Sequence, residues 1–407
     1  MTKYLLFALY FFTFPFFINF QQNNIMISIS LVLSILIFIV LCYKMILQLD
    51  TIRIAKNEFL LFILIFVYMA YTFIVGYLYG MDNFAIFKVL YNNAFVLLFM
   101  MLMLFHTHYQ NAFIGIRNMV CYSALFVGVI GIFMVLKNVT VIRFNLGMPF
   151  ITLMDNAYFN EVFKIDEYRY QYTFTHKVRF GFYCIIMIYL FIKNEFISNK
   201  IRIIGILLML TNIMIANTVT TFVCAMVLVA YFVRKMKMNK YLRITLNITV
   251  LMSFAMVMIF ALQYVLKERN IFTLGFRLPI WEGTILEIKE NPFGYIDSYY
   301  FHNFTYYKVS YVIGSAHNEF LGEALDYGVI GGIIFLLIYI VYFSSLARDR
   351  LIIFIVTTML FMIDTVLGKE GFAIFLLAYF LFDIDVEKSV GTKKKTLNKP
   401  IHTTRAS

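Results

Sequence analysis

Long apolar runs alternate with short polar breaks along almost the whole of this chain. A helix needs roughly 20 apolar residues to cross the hydrocarbon of a bilayer. By that measure the pattern predicts about twelve spans, at 4–20, 25–47, 58–79, 84–105, 113–136, 178–195, 201–217, 218–233, 244–266, 324–346, 351–367 and 372–384. The expected fold class is therefore all-α: one polytopic membrane domain over 1–385, then a basic tail over 386–407. The first run opens Met-Thr-Lys, as a secretion signal does. Phe14-Pro15-Phe16-Phe17 stands where small residues would mark cleavage, so the run reads as a retained helix. No internal repeat of matching length is visible.

Two long polar stretches interrupt the pattern, at 137–177 and 267–323. Loops of such length are uncommon without a function. In the second, LPIWEGTILEIKE reads as a short helix, with Pro279 in its first turn and Asn291-Pro292 ending it. Leu278, Trp281, Ile285 and Ile288 recur at helical spacing. That pattern describes an interfacial helix lying on the membrane with Trp281 as its anchor. A tyrosine- and phenylalanine-rich segment runs on to Val312. Ser315-Ala316-His317-Asn318-Glu319 then leads into an apolar helix that Asn318 or Ser315 could cap. Glu319, Glu323 and Asp326 share one face of that helix and can meet arginines from the other loop. Gly328, Gly331 and Gly332 allow close helix approach.

Composition supports lipid as the bulk solvent, with 62% hydrophobic and 14% charged residues. The net charge of +12 does not indicate nucleic acid, because the basic residues are strung between apolar runs and gathered in the tail. Lysine and arginine fill alternate short loops: Lys3; Arg53 and Lys56; Lys193, Lys200 and Arg202; Arg234 to Arg243; Arg348 and Arg350. The opposite short loops have none, which sets both termini in the cytoplasm and both long loops outside. Cys42, Cys121, Cys184 and Cys224 all lie in apolar runs, arguing against disulfides or a zinc site. No phosphate-binding glycine loop or His-Glu-x-x-His motif occurs. His106 and His108 are two apart, on different faces of a helix, which disfavours a shared metal.

Arg277, Trp281, Asn291-Pro292 and Gly294, then His317-Asn318, Leu321, Gly328 and Gly331, resemble the signature of the O-antigen polymerase and O-antigen ligase superfamily. The resemblance in motif covers residues 275–332, and the rest agrees in layout. Where that family often carries a Ser-Arg pair upstream, this chain reads Ala216-Asn217-Thr218-Val219-Thr220-Thr221, without an arginine. The resemblance implies a bacterial plasma-membrane glycosyltransferase, working on the outer face without metal or cofactor. Its donor and acceptor would be undecaprenyl-diphosphate-linked oligosaccharides, with membrane lipid and a chain-length regulator protein as further partners. Such a site needs cations to hold a diphosphate and a base to take the acceptor's proton. Arg277 is the first choice for the diphosphate, and Arg169 and Arg179 follow. His317 is the base, supported by Asn318, Glu319, Glu323 and Trp281.

Bland readings stand beside these. A histidine at a helix cap can be purely structural, and Lys88 can simply snorkel to the interface. His302 repeats the His-Asn pair without a following helix and is the second candidate base. Asp364, inside an apolar helix, can pair with Lys369, and His176 and Lys177 either line the site or sit in water. The expected activity is polymerisation of lipid-linked repeat units into a surface polysaccharide of capsule or O-antigen type. A ligase of the same superfamily, or a transporter of lipid-linked glycan, are the alternatives. A transporter should show repeated halves and charges within several helices.

Overall fold

The computed structural model describes residues 2–13, 19–22, 25–47, 56–78, 83–145, 149, 151–155, 170–174, 176–235, 241, 244, 248, 252, 277–295, 302–306, 309–313, 316–346 and 350–382. Its helices are α1 (Thr2–Thr13), α2 (Ile29–Leu47), α3 (Lys56–Leu78), α4 (Asn83–Leu104), α5 (His106–Leu136), α6 (Lys177–Lys193), α7 (Asn199–Ile215), α8 (Val219–Lys235), α9 (Arg277–Glu290), α10 (Glu319–Ser345), α11 (Arg350–Ile363) and α12 (Gly368–Phe382). Among the described residues three helices are long and apolar enough to cross a membrane: Glu58–Leu78, His108–Leu136 and Glu319–Ser345. Shorter apolar helices accompany them, including Val32–Leu47, Val219–Arg234 and Gly371–Phe382. The span expected at 244–266 lies outside the described residues apart from Ile244, Ile248 and Met252. The basic tail over 386–407 lies outside them as well.

The fold is mainly helical but not all-α. Among the described residues six short strands form two sheets. The hairpin β1 (Asn19–Gln22) and β2 (Ile25–Ser28) occupies the ends of the first two expected spans. Helix α1 stops at Thr13, two residues before Pro15, whose ring and missing N–H disfavour helix in the preceding turn. Helix α2 begins at Ile29 rather than 25 because Ile25 and Ile27 are β-branched and find strand partners. β3 (Val139–Asn145) runs parallel to β1, with Phe20 opposite Phe144, and β4 (Ile151–Asp155) closes the sheet antiparallel to β3. Tyr172 bridges to Val141, so the segment entering α6 is tied to the same sheet. The α1–α2 and α5–α6 connections therefore meet at one end of the helical layer. In the second long stretch, β5 (His302–Tyr306) and β6 (Val309–Ile313) make a separate hairpin, packed on α9.

Helix α6 is buried on every side from Phe180 to Ile192, and α12 likewise from Ala373 to Leu381. A helix apolar all round belongs in a core. These two pack on each other, with Tyr189 and Phe382 edge to face at 4.8 Å between centroids. Around them α2, α3, α5 and α7 turn leucine, isoleucine and phenylalanine outward, among them Ile39, Phe66, Phe126 and Leu207. So much exposed apolar surface suits lipid contact rather than water. All four cysteines are free thiols.

Polar ties fix the helices that lipid cannot press together. Glu58 at the start of α3 and His106 at the start of α5 are both buried and pair at 2.6 Å. The Tyr379 hydroxyl of α12 donates to the same carboxylate oxygen at 3.5 Å. Arg202 of α7 donates to the Phe191 and Ile192 carbonyls at the end of α6, groups that an α-helix leaves without internal partners. Removing one partner of a buried pair strands the other. Glu58→Ala is therefore expected to destabilise the protein by about 3–5 kcal/mol. In a double-mutant cycle read by unfolding in detergent, Glu58→Ala with His106→Ala should lose less than the sum of the two singles.

Candidate active site

Four segments converge on one junction: the start of α9, the start of α10, the turn between α11 and α12, and the first turn of α6. Helix α9 opens at Arg277 with Pro279 in its first turn, where a missing N–H is harmless. Its buried positions are Pro279, Gly283 and Thr284, small residues that let it lie close on α10. Leu278, Ile285 and Leu286 are exposed on its other sides. Asn291 Nδ2 donates to the Gly294 carbonyl at 2.8 Å, and Gly294 N–H donates back to the Asn291 carbonyl at 3.1 Å, closing the 291–295 turn.

Trp281 is half-buried, and its Nε1–H donates to the His317 carbonyl at 3.4 Å. The indole's polar edge is thus engaged with the protein. His317 has φ of 46°, in the left-handed region where a side chain other than glycine is uncommon, though histidine is enriched there. Asn318 follows in extended backbone and caps α10, its Oδ1 accepting from Leu321 N–H at 3.0 Å. The same side chain donates through Nδ2 to the Met362 carbonyl at 3.1 Å. Glu319 is buried, and its Oε2 accepts from the Val366 and Leu367 N–H groups at 2.6 and 3.0 Å. The α11–α12 turn is therefore gripped by two consecutive residues of α10.

Arg277 reaches that turn from the other side. Its Nε donates to the Ile363 carbonyl at 2.9 Å, and its Nη2 to Asp364 Oδ1 at 3.0 Å. Asp364 pairs with Arg277, because the turn that carries Asp364 packs on the start of α9; the expected pairing with Lys369 falls on a side chain outside the described residues. Among the described residues Nη1 of Arg277 has no hydrogen-bond partner, and the side chain keeps 20% exposure. The guanidinium is thus held along one edge and open at its tip.

Arg179 sits in the first turn of α6, half-buried and within electrostatic reach of Glu319. His176 caps that helix, its Nδ1 accepting from Val178 N–H at 3.3 Å, which gives it a structural role. Two residues beyond Arg179, Gly181 lies against Thr221 of α8; a Cβ there would come within 2.6 Å of the threonine methyl. The turn that lacks the expected arginine is thus in contact with the helix that carries Arg179. Among the described residues Glu323 meets no arginine. Its carboxylate accepts a hydrogen bond from the Tyr68 hydroxyl of α3.

Helix α10 is broken at Tyr327 and Gly328, the latter at φ 73° and ψ 177°. The expected close approach at Gly328 is to the 291–295 turn rather than to another helix. Val329 N–H donates to the Pro292 carbonyl at 2.9 Å, and Tyr295 N–H donates to the Leu325 carbonyl at 3.0 Å. The Tyr327 carbonyl accepts from the Tyr71 hydroxyl at 3.0 Å.

Of the residues singled out from the sequence, Arg277, Trp281, His317, Asn318 and Glu319 are brought together, with Arg179 alongside. Arg169 lies outside the described residues, as do the side chains of Lys88 and His302; the His302 backbone opens β5 opposite Ile313. Sequence reasoning missed Tyr68, Tyr71 and the backbone of the α11–α12 turn. Tyrosines in a long apolar helix carry no distinguishing signal, whereas Asp364, an acid in an apolar run, did.

Residues 204–336 match the family model described as O-antigen ligase. The match covers about a third of the chain, from within α7 through α9 to the middle of α10, and includes every motif residue from Arg277 to Gly331. No curated protein matches the chain.

Asn318→Ala removes both the cap and the tie to Met362, and loss of a cap alone costs about 1 kcal/mol. Asn318→Asp keeps an acceptor for Leu321 but cannot donate to Met362. Thermal unfolding should therefore rank wild type above Asn318→Asp, and Asn318→Asp above Asn318→Ala.

Proposed function

We propose that this chain, a member of the O-antigen polymerase and ligase superfamily through its 204–336 domain, polymerises polyprenyl-diphosphate-linked oligosaccharides into a surface polysaccharide. The work would be done on the outer face of the bacterial plasma membrane, with both termini inside. The observation that carries this reading is the junction itself. Arg277, half-tethered by Asp364 and Ile363, and His317, held by Trp281, stand on adjoining elements inside the family domain.

In this reading the open tip of Arg277 takes a phosphate oxygen of the donor, while its tethered edge fixes the plane of the guanidinium. Arg179 is the second cation, in place of the arginine missing from residues 216–221. The N-terminus of α10 adds the positive end of its dipole, which favours an anion nearby. An acceptor sugar hydroxyl then attacks the anomeric carbon of the donor. The bond from that carbon to the phosphate oxygen breaks, polyprenyl diphosphate leaves with the bonding pair, and the hydroxyl proton passes to the His317 imidazole. Charge gathers on the departing diphosphate, so cations fixed beforehand lower the barrier.

The reading is tested with purified protein in lipid discs and lipid-linked repeat units. Ladders of lengthening product support a polymerase; transfer of finished glycan to a different acceptor would point to the ligase. Loss of a general base costs on the order of 10²–10⁴ in rate. His317→Ala should lose turnover on that scale per inserted molecule while still binding donor. Near wild-type turnover in His317→Ala with a dead His302→Ala would transfer the role to His302.

Arg277→Lys keeps the charge but loses the planar fork that can hold Asp364 and phosphate together. Its turnover should fall steeply at normal expression. Full activity would reduce Arg277 to a point charge.

A further inference from the structure

The 291–295 turn and the break in α10 fit together atom by atom. In an unbroken helix, Val329 N–H would donate to the carbonyl of Leu325, four residues back. Both groups are present, but each is taken by the turn: Val329 by the Pro292 carbonyl, Leu325 by Tyr295 N–H. The turn therefore replaces one rung of the helix with two of its own. Gly294 and Gly328 face each other across the seam, both at positive φ, at 88° and 73°. A Cβ on Gly294 would lie 2.3 Å from Gly328 N, and one on Gly328 would lie 2.4 Å from the Pro292 carbonyl oxygen. Backbone touches backbone here, with no room for a side chain and no flexible group to move aside. The Tyr327 carbonyl, at the break, accepts from the Tyr71 hydroxyl of α3.

The break has a geometric consequence. Residues 319–326 are only about two turns of helix, and they follow directly on His317. Their direction is not inherited from the rest of α10, because Tyr327 and Gly328 are not helical. It is set by what grips them: Trp281 on the His317 carbonyl, the α11–α12 turn on Asn318 and Glu319, and the inserted turn at the far end. The inserted turn is the direct continuation of α9, which begins at Arg277. One rigid backbone path thus joins the arginine to the half-helix that follows the histidine.

We propose that the 291–295 turn is a wedge that sets the distance and angle between Arg277 and His317, with Gly294 and Gly328 as positioning residues and Tyr71 as the side chain that holds the break open. This rests on the transferase reading for its effect on rate. Misplacing a reacting group by about 1 Å costs on the order of 10²-fold, so a displaced wedge acts on the chemical step.

The experiment has one readout that needs no activity. Spin labels go at Glu282→Cys, exposed on α9, and at Gly322→Cys, where a Cβ meets nothing within 4 Å, with the four native thiols replaced by alanine. The unmodified turn should give one narrow distance, and Gly294→Ala or Gly328→Ala a broadened or shifted one. In the transfer assay the same variants should lose about 10²-fold in kcat with donor KM unchanged, since Arg277 remains tethered to Asp364. Tyr71→Phe removes a single hydrogen bond and should lose less, about 10-fold, which keeps the proposal exposed if the glycine variants fail to insert. An unchanged narrow distance with full kcat overturns the proposal, and so does a raised KM at constant kcat. If the wild-type protein transfers nothing, the transferase reading fails, and the distance measurement alone decides whether the wedge exists.

Discussion

A helix that breaks away from water must find new partners for the backbone groups it releases, because an unsatisfied amide or carbonyl in such surroundings costs several kcal/mol. That constraint shapes the active end of this protein. At the break at Tyr327 and Gly328 the 291–295 turn supplies the bonds that Val329 and Leu325 would otherwise make to each other, and Tyr71 adds one to the Tyr327 carbonyl. Once the break exists, the short leading half of α10 can leave the line of the long apolar half. The motif residues Asn291-Pro292, Gly294 and Gly328 then have a shared cause. They build the two sides of one seam, between the helix that starts at Arg277 and the half-helix that follows His317 and Asn318.

Much of this was legible in the sequence. The apolar runs gave most helices, and the polar stretch 267–323 marked the junction of α9 and α10, because charge and capping residues have no reason to cluster in lipid. A cap at Asn318 or Ser315 followed from residue type alone, and the structure has Asn318. Strands were not legible. Ile25-Met26-Ile27 is as apolar as a span, and only β1, and beyond it the distant β3, makes it a strand. Partnership over long sequence separation was equally hidden. Nothing local to Asp364 says that its charge answers Arg277, and nothing local to Tyr68 or Tyr71 says that α3 packs along α10.

The charged groups of the junction hold one another in a fixed pattern. Carboxylates are plentiful, but three have partners: Asp364 on Arg277, Glu319 on two amides, Glu323 on Tyr68. Each therefore serves to orient something while leaving the arginine tip open. An arginine with no tether would fold against the nearest acid along both edges. One that is tied by Nε and Nη2 keeps its plane and direction before any anion arrives, and little reorganisation is left for the moment of binding.

The parallel pairing of β1 with β3 bears on how the chain is made. The hairpin β1–β2 emerges early in synthesis, yet one of its edges has no neighbour until β3 follows, four helices later. Contacts between residues so far apart form slowly, and an open strand edge invites wrong pairing in the interval. A chain arrested or cut before residue 139 would hold that edge bare, and quality-control proteases select such features. The strands made first thus wait for four helices before their sheet is complete.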